Sequence, residues 1–365
     1  MMIPMVDLKR QYGRLKTKID QALESVLEQT QFILGPNVVA LEKEVAAYHS
    51  LPFAIGCANG TDALLLALRA CNVGAGDEII TTPFTFIATA EVAAQLGAKA
   101  VFVDICPDSF NIDPQNIAAK ITPKTKAIIP VHLFGHPADM DPIMDIAREH
   151  NLKVIEDCAQ AFGARYQGKT AGTFGDIGCF SFFPSKNLGC YGDGGMVITA
   201  DEAIADKIKM LRNHGSAVRY YHSEVGYNSR LDEIQAAILR VKLAEIENAN
   251  DARRANASAY CRALAGHGIV LPSESPGCRH VYHQFTLRLQ NRQAVAEALA
   301  RAGIASAVYY PVPLHRQEVF VKMYGPQESL PVTENCCDRV LSLPMFPELT
   351  EDEIRQIADV IIHAL

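Results

Sequence analysis

Lys186 closes the stretch Ser181-Phe182-Phe183-Pro184-Ser185-Lys186, and Asp157 ends the apolar run Val154-Ile155-Glu156-Asp157 upstream of it. An amine and a carboxylate so placed are what pyridoxal phosphate (PLP) chemistry needs. The lysine can form a Schiff base with the aldehyde, while a carboxylate facing the pyridine nitrogen keeps it protonated, so the ring can act as an electron sink. Asp157 has a second possible use, because a carboxylate at a strand end often caps the next turn. Gln160 either meets the phenolic oxygen of such a cofactor or is a polar loop residue. Phe84 and Phe86 are core aromatics unless one of them stacks on the pyridine ring.

A phosphate needs its own seat, and Gly56-Cys57-Ala58-Asn59-Gly60-Thr61-Asp62-Ala63-Leu64 reads as a strand turning sharply into a helix. Unpaired amides at a helix start, backed by the helix dipole, attract phosphate, and Gly60 lets the backbone come close. Thr61 or Asp62 could also simply cap that helix. The Ser181 hydroxyl can add a donor near the same strand end. A second glycine-bounded segment, Gly163-Ala164-Arg165-Tyr166-Gln167-Gly168-Lys169-Thr170, matches the nucleotide P-loop in letters. No helix opens at its lysine and threonine, because Ala171-Gly172-Thr173-Phe174-Gly175 follows, so a hairpin-like surface turn is expected instead. His132 and His136 are spaced like metal ligands, but they lie on a strand followed by a loop. A structural or supporting role is expected of them, and no metal.

The elements that must position these groups alternate in the manner of a mainly parallel sheet flanked by helices. Candidate strands span 54–57, 78–81, 100–104, 127–133, 153–157, 178–183 and 196–199, with helices over 62–71, 87–96 and 142–150. A long amphipathic helix over 231–264 is expected to bridge two domains. A smaller α+β segment follows, with strands over 284–289 and 307–309 and helices over 292–302 and 351–362. The domain reading is therefore a large PLP-binding domain over 1–245, including an N-terminal segment, and a small C-terminal domain over 246–365.

Composition narrows the function classes. Hydrophobic residues make up 49% and charged residues 21% of the chain, as in an ordinary soluble enzyme, and no apolar run is long enough to span a bilayer. A formal charge of −7 with interspersed signs argues against a nucleic-acid partner. No secretory leader pattern is evident at the N-terminus, so a cytoplasmic location is expected. Ten scattered cysteines without C-x-x-C spacing read as free, mostly buried thiols.

Together these motifs resemble the DegT-type nucleotide-sugar aminotransferases, a PLP family with the fold of aspartate aminotransferases. The resemblance runs from Val6-Asp7-Leu8 and Phe32-Ile33-Leu34-Gly35-Pro36 through the motifs around Gly60, Asp157 and Lys186. It continues through Gly192-Asp193-Gly194-Gly195 and Gly226-Tyr227-Asn228-Ser229-Arg230-Leu231-Asp232 to Tyr310-Pro311-Val312-Pro313-Leu314-His315. It implies a seven-stranded, mainly parallel α/β domain with a smaller α+β domain. It also implies Lys186 as the Schiff-base lysine, Asp157 on the pyridine nitrogen and Gln160 on the phenolic oxygen. Gly60, Thr61 and Ser181 would hold the phosphate, and Phe86 would stack on the ring. Asn228 would reach the neighbouring subunit's phosphate, so a homodimer with shared sites is implied.

The activity implied is transamination of an oxo-sugar nucleotide, with glutamate as donor and 2-oxoglutarate as its product, feeding polysaccharide synthesis. A C3-oxo UDP- or dTDP-sugar is expected as acceptor. The alternatives are a C4-oxo sugar, or a PLP-dependent sugar dehydratase or lyase on the same fold. The segments 7–10, 31–36 and 193–195 most resemble aminotransferases acting on UDP-2-acetamido-2-deoxy-3-oxo-glucuronate, although Tyr309-Tyr310 stand where those relatives carry His-Tyr. Arg230 could pair with a sugar carboxylate, or else with Asp232 or Glu233. Tyr309, Tyr310 and His315 are candidate sugar or diphosphate contacts.

Overall fold

The apolar runs assemble into one seven-stranded sheet in the computed structural model, which describes residues 2–365. In chain order these strands begin with β1 (Phe53–Cys57), β2 (Glu78–Thr81), β3 (Lys99–Phe102), β4 (Thr125–Ile129) and β5 (Lys153–Asp157). A small hairpin of β6 (Arg165–Tyr166) and β7 (Lys169–Thr170) intervenes before β8 (Ile177–Ser181) and β9 (Gly195–Thr199) complete the sheet. The spatial order is β1-β9-β8-β5-β4-β2-β3, and β9 runs antiparallel to both neighbours. The six remaining strands therefore end on one edge, which is where ligands bind in sheets of this kind. The expected mainly parallel sheet is present, and so is the hairpin-like turn at 163–170.

Several expected strands stop early, for local reasons. The strand expected over 127–133 ends at Ile129, because Pro130 offers no N–H, and Leu133–Gly135 form a tight turn. The strand expected over 178–183 ends at Ser181, where Phe182 N turns to Gly194 O at 2.7 Å.

Helices α1 (Leu8–Gln29) and α2 (Pro36–Tyr48) precede the sheet, and α3 (Gly60–Ala70), α4 (Ala88–Gln95), α5 (Met140–Glu149) and α6 (Glu202–Leu211) flank it. Every residue of α3 from Ala63 to Leu68 is buried, so it lies against β8 and β9 beneath α4 and α6. Burying Leu64, Leu65, Leu66 and Leu68 contributes about 1.5–3 kcal/mol each, and this fixes the helix start over the sheet edge. Next comes an exposed ribbon, β10 (Ser216–Val218) with β11 (Tyr221–His222).

The single helix expected over 231–264 is two helices, α7 (Glu233–Leu243) and α8 (Ile246–Leu264). At the break Glu245 N bonds back only to Lys242 O (3.0 Å), a tight turn that redirects the chain from α1 and α2 toward the second core. Apolar periodicity continues across the break, so the pattern could not reveal it.

The C-terminal segment holds β12 (Cys278–Arg279), which joins the β6/β7 hairpin, then β13 (Phe285–Arg288), α9 (Arg292–Arg301), α10 (Glu318–Tyr324), α11 (Pro331–Arg339), β14 (Val340–Leu343) and α12 (Glu351–Ala364). β13 pairs with β14, a strand not anticipated, while the strand expected over 307–309 is a single bridge from Ala307 to Ser342. Tyr260, Phe285, Leu299, Leu343, Phe346 and Ile357 form the core of this segment, and Ile3 packs into it. Ile3 pairs beside Ile304, with Ile3 N donating to Gly303 O (3.0 Å) and Ala305 N to Ile3 O (2.9 Å). All ten cysteines are free, and Cys57, Cys158, Cys179, Cys190, Cys336 and Cys337 are buried. No helix of the described residues is long and apolar enough to cross a membrane.

Candidate active site

The sheet register brings three motifs together. Cys57 faces Gly195, Gly195 faces Ser181, and Cys179 faces Asp157, so the ends of β1, β8 and β5 lie side by side. The turn from β1 into α3 fits only because two residues lack side chains. A Cβ on Gly60 would meet the Ser181 Cβ at 2.5 Å, and one on Gly195 would meet Asn59 O at 2.2 Å. The helix cap is Asn59, neither Thr61 nor Asp62: its Oδ1 accepts from Asp62 N at 2.8 Å. The Gly60 and Thr61 amides precede the first helical hydrogen bond, and Gly60 packs directly against Ser181. That arrangement is a seat for an anion.

Asp157 is buried at the end of β5. Its Oδ2 accepts from Thr89 Oγ1 (2.8 Å) and its Oδ1 from Ala159 N (3.1 Å). Burial pushes its pKa up, while those two donors and the Lys186 charge pull it down. Sequence reasoning missed Thr89. The available signal was a pair of hydroxyl residues, Thr85 just before α4 and Thr89 in its first turn, both buried among apolar neighbours; their oxygens lie 3.1 Å apart.

Lys186 sits on a tight loop after β8. Its N–H donates to Phe183 O (2.8 Å), and Asn187 Nδ2 anchors the next residue to Asn250 Oδ1 (2.8 Å) and Val281 O (3.0 Å). Burial lowers the Lys186 pKa to about 8, against the opposing pull of the Asp157 charge, and no hydrogen bond contributes to the shift. The amine is thus available as a nucleophile near neutral pH. Beneath the loop, Lys242 Nζ donates to Gly189 O at 2.6 Å.

Of the two aromatics in the 83–86 segment, Phe84 is fully buried among Phe110 and Phe134, whereas Phe86 is 55% exposed. An open ring two residues before α4, the helix that supplies Thr89, suits a planar ligand. Gln160 Oε1 accepts from Phe134 N (2.8 Å), and its Nε2 donates to the Tyr310 hydroxyl at 3.2 Å. Tyr310 therefore lies beside Gln160, with Tyr309 half-buried next to it.

Two other residues are placed differently from expectation. Arg230 pairs with neither Asp232 nor Glu233: Nη1 donates to Asn213 Oδ1 (2.9 Å) and Nη2 to the exposed Asn228 side chain. Glu233 instead accepts from Asn37 N and Val38 N at the start of α2. His315 is fully buried, with Nε2 on Glu334 Oε1 (2.9 Å), and it lines a separate cavity of about 340 Å³ along the edge strand β3. The ring is held by Glu334 and closed off from solvent in the single chain, so a sugar or diphosphate contact from it requires its shell to open. His132 Nε2 bonds Glu156 Oε2 (2.9 Å), and the Glu156 carboxylate also accepts from the amides of Gly172, Phe174 and Gly175. Those donors account for the carboxylate's lone pairs, and the network clamps the strand that carries Asp157.

These residues fit pyridoxal phosphate: an amine with no hydrogen-bond partner, a buried carboxylate held by two donors, an open aromatic face and paired amides beside a hydroxyl. A family model described as the DegT/DnrJ/EryC1/StrS aminotransferase family matches residues 14–362. A UDP-N-acetyl-3-dehydro-alpha-D-glucosamine 3-aminotransferase of Acidithiobacillus ferrooxidans is 53% identical over 363 residues, covering 100% of this chain and 98% of its own. A UDP-2-acetamido-2-deoxy-3-oxo-D-glucuronate aminotransferase of Pseudomonas aeruginosa is 47% identical over 356 residues, covering 98% of each. The crystal structure of S. venezuelae DesV in complex with a ketimine intermediate superposes with a TM-score of 0.97 at 42% identity, covering 99% of this chain and 98% of that one.

Proposed function

This chain belongs to the DegT/DnrJ/EryC1/StrS aminotransferase family of PLP-dependent enzymes, and from that premise we propose that it aminates the C3-oxo group of a UDP-linked sugar with glutamate as nitrogen donor. PLP, when bound, supplies an electron sink for the charge left by proton removal. The Gly60 and Thr61 amides and the Ser181 hydroxyl hold its phosphate. Asp157, whose charged form is favoured against its burial by Thr89 and the Ala159 amide, would hold the proton at the pyridine nitrogen. Phe86 would cover the ring, and Gln160, oriented by Phe134 N and Tyr310, would meet the phenolic oxygen. Lys186 Nζ moves the proton to and from the substrate carbon, a task suited to an amine whose pKa is about 8.

The observation that carries this reading is the Lys186 amine, without a hydrogen-bond partner and set against Asp157 at the same sheet edge as the α3 start. A second copy of the chain completes the site in this proposal. Asn228 is exposed, and the neighbouring ribbon presents Tyr220 and Tyr221 at 78% and 75% exposure, side chains that a partner subunit would cover. A neutral N-acetyl sugar is favoured over an acidic one, because the Arg230 guanidinium is already engaged by Asn213 and Asn228 and Tyr309 carries no positive charge. Residues 1–245 and 246–365 are carried as the large and small units, supported by the α7/α8 break; Ile3 crosses that division. A cytoplasmic setting is part of the same proposal.

The test is to bleach the yellow protein with glutamate and then offer oxo-sugar nucleotides. UDP-N-acetyl-3-oxo-glucosamine is expected to restore the colour and yield the 3-amino sugar. Restoration by C4-oxo sugars alone would move the amination site, and loss of a sugar oxygen would make the enzyme a dehydratase or lyase.

A further inference from the structure

The segment that presents Phe86 also carries two enclosed hydroxyls. It is anchored on one side by Phe84, which is buried among Phe110 and Phe134 and whose N–H donates to Thr82 Oγ1 at 3.1 Å. Leu314 N adds a second anchor, donating to Pro83 O at 2.9 Å. On the other side α4 begins at Ala88, so the backbone carrying Thr85 and Thr89 is fixed at both ends. Both threonines are buried, and so is the Asp157 carboxylate they approach.

Thr85 Oγ1 lies 3.1 Å from Thr89 Oγ1, and Thr89 Oγ1 lies 2.8 Å from Asp157 Oδ2. A count of protons gives this chain a direction. An ionised carboxylate can only accept, so the single hydroxyl proton of Thr89 goes to Asp157. The Thr89 oxygen is then the acceptor toward Thr85, and the proton between the two threonines belongs to Thr85. A hydroxyl that receives a hydrogen bond is a stronger donor through its own proton. A threonine hydroxyl also turns to suit its neighbours, and the bond from Thr85 occupies the side of Thr89 Oγ1 away from the carboxylate.

We propose that Thr85 is a positioning residue for the transamination: its hydroxyl donates to Thr89 Oγ1 and so commits the Thr89 proton to Asp157 Oδ2, holding the aspartate charged where it meets the pyridine nitrogen. The hydrogen bonds run from Thr85 through Thr89 to Asp157, so Thr85 acts on the carboxylate at one remove. Asp157 Oδ1 is held separately by Ala159 N at 3.1 Å, and the relay therefore governs one carboxylate oxygen of the two. Residues 84–89 thus set both the open aromatic face at Phe86 and the charge at Asp157. The inference rests on Asp157 being the partner of the pyridine nitrogen.

Two buried hydroxyls that merely satisfied each other would cost stability when parted and would act independently of Asp157, and the tests separate that role from a relay. T85V keeps the branched shape without the hydroxyl. In the holoenzyme its kcat is expected to fall about 2- to 4-fold with KM for the sugar nucleotide within about twofold, and T85S, which keeps the hydroxyl, recovers the parent rate. In a T89V background T85V should change kcat no further, because the middle of the relay is already gone. With PLP labelled with ¹⁵N in its ring, the ring-nitrogen resonance is expected to move toward the unprotonated position in both T85V and T89V. A T85V protein with parent kcat, a loss that multiplies with that of T89V, or an unmoved resonance in T85V each overturns the proposal. If T85V does not fold, T85A is read in the same three ways. A D157N protein with parent kcat would instead overturn the reading beneath the proposal, whatever T85V does.

Discussion

Two glycine-bearing segments of this chain invite a phosphate reading, one by its strand-to-helix turn and one by its P-loop letters, and only the first has a geometry suited to an anion. Residues 56–62 leave β1, turn at Asn59 and open α3, so unpaired amides point past the sheet edge with a buried helix behind them. Residues 163–170 instead fold back on themselves. Gln167 and Gly168 both take positive φ between β6 and β7, and the lysine and threonine become strand residues paired with Tyr166 and Arg165. The contrast shows that glycine spacing alone does not bind phosphate. The amides must lack strand partners and a helix must stand behind them.

The largest expected effect comes from removing what the first segment serves. Lys186→Ala should lose the yellow absorbance together with turnover, the rate falling by at least about 10³-fold in a glutamate half-reaction, as loss of a nucleophile that is also the proton carrier requires. Turnover near the parent rate would leave residues 56–62 without a catalytic partner.

A paired glycine experiment then sets the segments directly against each other. Gly60→Ala drives a Cβ into Ser181 and should weaken PLP retention by about 10- to 100-fold, read by dialysis or equilibrium titration. Gly168→Ala, at a φ of +81° with open space around it, should cost about 1 kcal/mol of stability and leave PLP affinity unchanged. Equal loss of PLP in both variants would erase the distinction.

The smallest effect sharpens the comparison. Thr89→Val removes one of the two donors on Asp157 and should lower kcat about 5- to 10-fold with little loss of Tm. The sign of the pH effect is fixed. Burial already raises the Asp157 pKa and Thr89 lowers it, so without Thr89 the carboxylate protonates at higher pH and the acid limb of the activity profile moves upward. An acid limb at the parent position would show that Asp157 is held by other means.

The sheet was readable because each strand is a compact apolar run bounded by turn residues, as with Ile79-Ile80 and Val154-Ile155. The α7/α8 break was not readable, since the apolar period runs through Ala244 and Glu245, and β14 escaped because its partner β13 lies far away in sequence. At the site, Lys186, Asp157 and Gly60 announce themselves by chemistry and local context. Thr89 does not, because its meaning lies in a partner the fold supplies, a carboxylate 68 positions away. The burial of His315 was unreadable for the converse reason, since nothing local announces that Glu334 will hold it.

Ile3 occupies a place beside Ile304, and α1 is bound to the cap of α12 through Arg10 and Glu353. The chain's opening residues are thus the last piece of its closing lobe. A fragment starting at residue 246 would present a bare apolar notch, and trimming the leading residues would soften the far end of the polypeptide while leaving the cofactor cleft's own walls intact.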